Sequence, residues 1–194
     1  MTTIAVVKKG GYVAIAADTM TKWGSGKESA AYIANSDKIV QVGSTLLAGS
    51  GSATFKTIMR DYFSRPRVAR KFDDPISIFR TWQRFHATLK DDYFLNPSND
   101  KDDSLESSRF DVLLANPRGI FGIGAHRTVQ EYSKFYAIGS GTDIALGALY
   151  ATYDNANQDA LSLARLSVEA AAEFDDATGL PVIAHKIRLG RRSR

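Results

Sequence analysis

Residues 2–18 read TTIAVVKKGGYVAIAAD, and they carry the main evidence for the fold class. Two runs rich in β-branched and other apolar residues, 3–7 and 12–17, flank the sequence KKGG at 8–11. This pattern predicts a β-hairpin, because glycines supply the tight turn between two strand-like runs. The second run is almost continuously apolar, which indicates a strand that other layers cover on both faces.

The rest of the chain alternates blocks of strands with blocks of helices. The predicted elements, in chain order, are strands over 38–42 and 45–48, helices over 53–64 and 75–89, strands over 110–115, 120–123 and 135–138, helices over 142–156 and 159–174, and a strand over 182–189. Four strands therefore precede the first helix. Ser52 is expected to cap that helix, and Asp73 or Asp74 the second. This order favours antiparallel sheets inside and helices outside, an α+β architecture.

The composition is that of an ordinary globular protein. Of the 194 residues, 44% are hydrophobic and 24% are charged, and no apolar run approaches the roughly 20 residues that a membrane span needs. The first residues lack the basic and apolar regions of a signal peptide, so we expect a cytoplasmic protein. The sequence has no cysteine, which excludes disulfides and thiolate metal sites. We expect a single domain over 1–194, with a polar loop at 96–108 and a basic tail at 186–194.

The basic charge is concentrated near the C-terminal end. Residues 186–194 hold five lysines and arginines and no acid, so subtracting 5 from the net charge of +4 leaves −1 for the rest. Specific nucleic-acid binders spread basic residues over a face, and many add aromatic residues for base stacking. We therefore expect no specific nucleic-acid binding, and interpret the tail as solvated or as a segment that docks a partner. Nucleic-acid binding through the tail is the alternative, and it predicts an affinity that falls steeply with salt.

Thr2 is the first candidate for chemistry. Removal of Met1, which a small second residue permits, would place a hydroxyl and a free α-amine on the same residue. An α-amine titrates near about 7.7–8.0, so it accepts the hydroxyl proton near neutral pH. The alternative is an ordinary strand start with no catalytic role.

Three more residues have the chemistry to assist such a nucleophile. Asp18 ends the apolar run of the second strand, where a carboxylate needs a partner or caps a turn. Lys38 opens another strand, and a lysine beside a hydroxyl lowers the hydroxyl pKa; Lys27, in a Gly-Ser-rich stretch, is the rival for this role. Gly49 is able to bring its N–H close to a substrate oxyanion. Each is also consistent with a structural role, as a turn cap, a solvated strand end or a turn glycine.

Several short motifs, in their order along the chain, resemble the proteasome β-subunit family of N-terminal-nucleophile hydrolases, and within it the bacterial, self-assembling members. The matching motifs are Thr2-Thr3-Ile4, Ala16-Ala17-Asp18-Thr19, Asn35-Ser36-Asp37-Lys38-Ile39, Ala48-Gly49, Ala137-Ile138-Gly139-Ser140-Gly141 and Asp175-Asp176-Ala177-Thr178-Gly179. The resemblance implies a four-layer αββα sandwich, with two antiparallel sheets between layers of helices. The chain departs from the family pattern in a longer stretch from 19 to 36 and in Thr178, where serine is usual.

The resemblance also implies roles at the matched positions. The implied catalytic residues are Thr2, Asp18, Lys38, Ser140, Asp175 and Thr178, with Gly49 as the oxyanion donor and Thr21, Leu47 and Gly51 at the substrate pocket. Thr2 is the nucleophile in this scheme, and an apolar Leu47 favours apolar substrate side chains. No cofactor and no metal is implied, and none of the three histidines has a second ligand at metal-binding spacing.

The sequence thus predicts a threonine peptidase that cleaves unfolded polypeptides or short peptides. The resemblance implies a homo-oligomeric ring, or stacked rings, with the sites inside a chamber, and leaves open whether an ATPase partner exists. Two alternatives remain at this point: a ring scaffold of the same fold without activity, and an amidohydrolase that acts on small molecules. The presence of Thr2, Asp18 and Lys38 together favours the peptidase, because a scaffold does not need them.

Overall fold

A computed structural model describes residues 2–97 and 104–190 of the chain. Met1, residues 98–103 and residues 191–194 lie outside the described residues, and with them lie parts of the predicted polar loop and basic tail. The strands are β1 (Thr3–Lys9), β2 (Tyr12–Ala17), β3 (Thr21–Trp23), β4 (Gly26–Glu28), β5 (Ile39–Val42), β6 (Thr45–Ser50), β7 (Asp111–Asn116), β8 (Gly119–Ile123), β9 (Val129–Tyr132), β10 (Phe135–Gly139) and β11 (Ile183–Arg188). The helices are α1 (Thr54–Ser64), α2 (Pro75–Asp91), α3 (Thr142–Thr152) and α4 (Ala160–Phe174).

The first sheet holds the predicted hairpin. Its strand order is β10-β1-β2-β11, and all of its pairs are antiparallel. Ile4 lies opposite Ala17, and Gly10 and Gly11 turn the chain with φ values of 61° and 80°, which glycine adopts without strain. Five of the six residues of β2 are buried, so the prediction of a strand covered on both faces is confirmed.

The second sheet packs face to face against the first. Its order is β5-β6-β7-β8-β9, again antiparallel. Side chains that alternate along each strand form the layer between the sheets, where Ile4 and Ile15 of the first sheet share an apolar cluster with Leu113 and Ile120 of the second. Helices pack against the opposite face of each sheet.

Each outer face of the two sheets is covered by a pair of helices. On the first sheet, Ala5 of β1 shares a cluster with Leu149 of α3 and Leu163 of α4. On the second sheet, strand residues including Leu47 share a cluster with the aromatic side chains of α1 and α2. The layers are therefore helix, sheet, sheet, helix, and the predicted αββα sandwich is confirmed.

Of the two predicted helix caps, one is confirmed and one is wrong. Asp74 caps α2 as predicted: its side chain accepts the N–H groups of Ile76 and Ser77, and Pro75 starts the helix. Ser52 does not cap α1. The N-cap position is occupied by Ala53, which has no capping side chain, because the helix begins one residue later than its apolar pattern suggested. No helix within 2–97 or 104–190 has the length and apolar character needed to span a membrane.

The sequence did not predict three short strands. Within residues 2–53, six strands precede the first helix rather than four, because β3 and β4 form a small hairpin in the polar stretch 19–36. The strand β9 at the edge of the second sheet was also missed. These strands are short and polar. Their conformation therefore depends on the strands they pair with, and their own sequences carry no apolar pattern that would predict it. The start of the basic tail is likewise structured, since Lys186 and Arg188 belong to β11.

Candidate active site

Strand ends from both sheets converge at one edge of the sandwich. Because β1 and β2 are antiparallel, Thr2 at the start of β1 lies beside Asp18 at the end of β2. Lys38 precedes β5 in the other sheet, and Gly49 lies near the end of β6. Residues separated by up to 47 positions in the sequence thus meet in one place.

The Thr2 hydroxyl is held between a carboxylate and an ammonium group. It donates a hydrogen bond to Asp18 Oδ1, and Lys38 Nζ donates to Thr2 Oγ1 at 2.8 Å. The same Nζ lies 2.7 Å from Asp18 Oδ1. These three side chains are therefore brought together as predicted, within a single hydrogen-bonded cluster.

Asp18 is fully buried, and its charge is compensated on both oxygens. Besides Lys38 and the Thr2 hydroxyl, Oδ1 accepts the backbone N–H of Thr3 at 3.1 Å. Oδ2 accepts the N–H groups of Met20 and Gly179, each at 3.1 Å. A buried carboxylate is tolerated only with such partners, and the surrounding backbone N–H groups fix its position.

Lys38, and not Lys27, is the lysine at the Thr2 hydroxyl. Burial lowers the pKa of Lys38 below its ordinary value, and this effect outweighs the charge and hydrogen bond of Asp18, which raise it. The lysine therefore releases its proton more readily than an exposed lysine does. Lys27 belongs to β4 and lines a different cavity.

A second polar cluster lies on the other side of Thr2. Ser140 Oγ donates to Asp175 Oδ2 at 2.7 Å, and the Thr178 hydroxyl donates to the same oxygen. The Ser140 N–H donates to the Thr2 carbonyl at 2.8 Å, so the cluster touches the backbone of Thr2. Burial acts to raise the pKa of Asp175, but the hydrogen bonds from Ser140, Thr178 and the Ala177 backbone, with the charge of Lys22, together outweigh it and the pKa is lowered.

Thr3 joins this cluster to the start of β1, and its role was not predicted. Its hydroxyl lies 2.6 Å from the Thr178 hydroxyl and accepts the Gly141 N–H at 3.1 Å. Its place in the Thr2-Thr3-Ile4 motif was the available signal. The methyl group that distinguishes Thr178 from the usual serine leaves this hydrogen bond intact.

Two glycines allow the chain to pack tightly around the start of β1. A Cβ on Gly139 would lie 1.9 Å from the Thr2 carbonyl oxygen, and one on Gly141 would lie 2.5 Å from the Thr3 hydroxyl. Gly139 also has a φ of 107°, which side chains rarely permit. The close packing around the start of β1 therefore requires glycine at both 139 and 141.

A cavity of about 370 Å³ opens in front of the Thr2 hydroxyl. Thr21 and Gly51, predicted at the substrate pocket, line it, and so does Gly49, the predicted oxyanion donor. The sequence did not identify the other residues that line it, which are Met20, Lys22, Trp23, Ser52, Ala53, Thr54 and Lys56. Most of them come from the β3 hairpin and from the start of α1, whose orientation toward Thr2 no local pattern encodes.

Leu47, predicted to border the same pocket, lies elsewhere. Its side chain is fully buried in the cluster between the second sheet and the helices α1 and α2. The expected preference for apolar substrates, which depended on Leu47, therefore has no support in the structure.

A metal site is not evident in the described ranges, where no three histidine, aspartate or glutamate side chains form a group that would hold an ion. The site brings together a threonine hydroxyl, a lysine and the carboxyl groups of Asp18 and Asp175.

Comparisons with known proteins identify relatives of this chain among solved structures. No protein-family model and no curated protein sequence matches it. It is 54% identical to the bacterial proteasome homologue (BPH) of Thiobacillus denitrificans, with a TM-score of 0.93 over 97% of this chain and 99% of that one. A structure of the same relative in complex with epoxomicin matches at 54% identity and a TM-score of 0.91, with the same coverage of both chains.

A more distant match shares the fold. HslV from Trypanosoma brucei is 18% identical, with a TM-score of 0.65 over 96% of this chain and 99% of that one. Identity of 54% over nearly the full length of both chains, together with the αββα sandwich, shows that this chain belongs to the proteasome β-subunit family of N-terminal-nucleophile threonine peptidases.

Proposed function

We propose that the protein is an endopeptidase that cleaves unfolded polypeptides or short peptides through Thr2, after Met1 has been removed. The observation that carries the proposal is the position of Lys38 Nζ, 2.8 Å from the Thr2 hydroxyl oxygen, with the buried Asp18 as partner of both groups. The complex of the Thiobacillus denitrificans relative with epoxomicin supports it, because that relative shares 54% of its residues with this chain.

The reaction begins when the Thr2 hydroxyl gives its proton to the α-amine of the same residue. The hydroxyl oxygen attacks the carbonyl carbon of a peptide bond, and the carbonyl oxygen becomes an oxyanion. The Gly49 N–H donates to this oxyanion, and the Lys38 ammonium stabilises the negative charge that develops on the attacking oxygen. Lys38 is suited to this role because Asp18 holds it at hydrogen-bond distance from the reacting atom.

The intermediate then collapses with loss of the leaving amine. The ammonium form of the α-amine returns its proton to the leaving nitrogen as the C–N bond breaks, which leaves the acyl group as an ester on Thr2. A water molecule, deprotonated by the same amine, attacks the ester and restores the hydroxyl. Ser140, Asp175 and Thr178 are proposed to position the amine, since their cluster contacts the backbone of Thr2.

We further propose that the chain assembles into homo-oligomeric rings, with the sites inside a chamber. The sequence of α3, TDIALGALYAT, supports this: apart from Thr142, Asp143 and Thr152 it is apolar, yet Tyr150 is 84% exposed and Leu146 only half-buried in the single chain. Apolar residues of this kind on a helix are normally covered. A second copy of the chain is the occupant that the ring implies.

Hydrolysis of peptides by the purified protein tests the proposal. The wild-type protein should cleave an internally quenched peptide, and Thr2→Ala should lose at least about 100-fold of kcat/KM, because removal of an attacking group abolishes acyl transfer. Intact mass must show that Met1 is absent from both proteins, so that the comparison concerns the hydroxyl alone. Activity unchanged in Thr2→Ala would exclude Thr2 as nucleophile.

Two further outcomes would favour the alternatives. Retained Met1 together with no hydrolysis would favour a ring scaffold without activity, since the proposed base would be an amide. Hydrolysis of simple amides with none of peptides would favour a small-molecule amidohydrolase.

A further inference from the structure

Lysine side chains supply the charge on the walls of the cavity in front of Thr2. Lys22 comes from β3, Lys38 precedes β5, and Lys56 belongs to α1. Among the described residues that line this cavity there is no aspartate or glutamate. The cavity therefore presents positive charge to whatever enters it.

Two of the three ammonium groups have a carboxylate of the protein as partner. Lys22 Nζ forms an ion pair with Asp176, and Lys38 Nζ lies 2.7 Å from Asp18 Oδ1. Because each has an opposite charge at contact distance, neither needs an anion from outside the chain.

Lys56 has no such partner. Its Nζ donates to the carbonyl oxygen of Asn35 at 2.5 Å, which is a neutral acceptor. Within residues 2–97 and 104–190, no carboxylate forms an ion pair with it. The half-buried Lys56 is thus the lysine of the cavity that forms no ion pair with a carboxylate of the described residues.

The surroundings of Lys56 disfavour its positive charge. Burial lowers the pKa of Lys56, and the charges of Arg60 and Lys38 lower it further, against a smaller opposing effect of Asp37. An ammonium group that is disfavoured by burial and by two nearby cations is stabilised by an anion that binds beside it.

We propose that Lys56 is a specificity-determining residue, which binds a carboxylate of the substrate next to the peptide bond that Thr2 attacks. This inference rests on the proposed peptidase function and names its substrate class: peptides with an acidic side chain, or a C-terminal carboxylate, close to the cleavage position. The preference is the opposite of the apolar one that Leu47 suggested.

Matched peptides separate the two sources of carboxylate. One pair of internally quenched peptides has blocked termini and differs only in Glu or Gln beside the cleavage position, which mass spectrometry locates. A second pair carries Gln there and ends shortly afterwards in either a free or an amidated C-terminus. A charge-assisted hydrogen bond in place of a neutral one should raise kcat/KM by about tenfold for the acidic peptide.

Variants assign the preference to Lys56. In Lys56→Gln the ratio of kcat/KM for the acidic and amide peptides should fall to about one, by loss of the charge that binds the carboxylate. Lys22→Gln is the matched control: it makes the same change in the same cavity at a lysine that Asp176 neutralises, and it should keep the ratio. Labelling of Thr2 by an epoxyketone shows that each variant is folded.

The outcomes are distinct from those that test the proposed function. A preference for Glu in blocked peptides supports Lys56 binding of a side chain, and a preference confined to free C-termini supports binding of the chain end. Equal rates within both pairs, with cleavage still dependent on Thr2, would overturn the inference and leave the peptidase standing. If no cleavage depends on Thr2, both the Lys56 inference and the proposed peptidase function are wrong.

Discussion

At the scale of single residues, the site depends on the buried carboxylate of Asp18. It accepts hydrogen bonds from the Thr2 hydroxyl, from Lys38 and from the backbone of three other residues, so it fixes the Thr2 hydroxyl and the lysine together. Its position follows from the β1–β2 hairpin, because antiparallel pairing places the end of β2 next to the start of β1. The hairpin therefore places Asp18 where it contacts both Thr2 and Lys38.

Replacement of Asp18 with Asn should harm both stability and activity. The variant leaves Lys38 buried without its counter-charge, and breaking one partner of a buried pair costs about 3–5 kcal/mol of unfolding free energy. Chemical denaturation measures this loss, and peptide hydrolysis should fall by at least about 100-fold. The double variant Asp18→Asn with Lys38→Met should regain part of the stability. A single variant as stable as the wild-type protein would contradict this account.

Substitution with alanine should have opposite effects on stability at Gly139 and at Gly147. Gly139→Ala should abolish labelling of Thr2 and lower the unfolding temperature, because the added methyl would lie 1.9 Å from the Thr2 carbonyl oxygen. Gly147→Ala adds a methyl in open space on α3 and should stabilise the chain by up to about 1 kcal/mol through helix propensity. Equal effects of the two variants on thermal unfolding would show that the close approach at Gly139 does not matter.

At the scale of elements, α2 is tied to the segment that precedes β7. The buried His86 contacts Ser108 through Nδ1 at 2.9 Å and Glu106 through Nε2 at 3.2 Å, while Lys90 binds Glu106 at 2.7 Å. Burial lowers the pKa of His86, and this outweighs the effect of Glu106, which raises it. A neutral histidine thus holds the helix to the chain that leads into the second sheet.

The lowered pKa makes this connection sensitive to acid. Below the ordinary pKa of about 6.5, the unfolded chain binds a proton that the folded chain resists, so stability should fall as pH decreases through that value. Denaturation at pH values from about 7 to about 5 should show a smaller loss for His86→Gln, relative to its own value at neutral pH, than for the wild type. His185→Gln, at an exposed position of β11, should follow the wild type. An unchanged pH dependence in His86→Gln would contradict the assignment.

For the whole molecule, the proposed assembly rests on the outer face of α3. Its exposed and half-buried apolar residues lie on the helix layer that covers the first sheet, and a second copy of the chain would cover them. Tyr150→Glu should therefore convert the assembled protein to a smaller species in native mass measurements. Ile76→Glu places the same charge at an exposed apolar position of α2, in the opposite helix layer, and serves as control. Equal masses for Tyr150→Glu and the wild type would exclude the α3 face as the contact.

The sequence predicted the features that local patterns encode. The hairpin over 3–17, the cap at Asp74 and the order of blocks follow from apolar periodicity and from turn and capping residues, and the structure reproduces them. Thr2, Asp18 and Lys38 were candidates for their chemistry at the ends of strand-like runs and for the family resemblance, and the structure places their side chains in contact.

The features that the sequence missed depend on orientation in three dimensions. Leu47 was placed at the substrate pocket, but alternation along β6 directs its side chain to the helices. Lys56 was not identified, because only the packing of α1 against the second sheet turns it toward Thr2. The β3–β4 hairpin was missed because its residues are polar, and the ion pair of Lys22 with Asp176 ties it to the rest of the chain.

The residue to which an epoxyketone inhibitor binds identifies the nucleophile without the need for a substrate. The protein is treated with the inhibitor, digested, and the N-terminal peptide is sequenced by tandem mass spectrometry. We predict one adduct per chain, on a peptide that begins at Thr2, and none in Thr2→Ala. An adduct on any other residue, or an N-terminal peptide that retains Met1 and remains unmodified, would contradict Thr2 as the nucleophile.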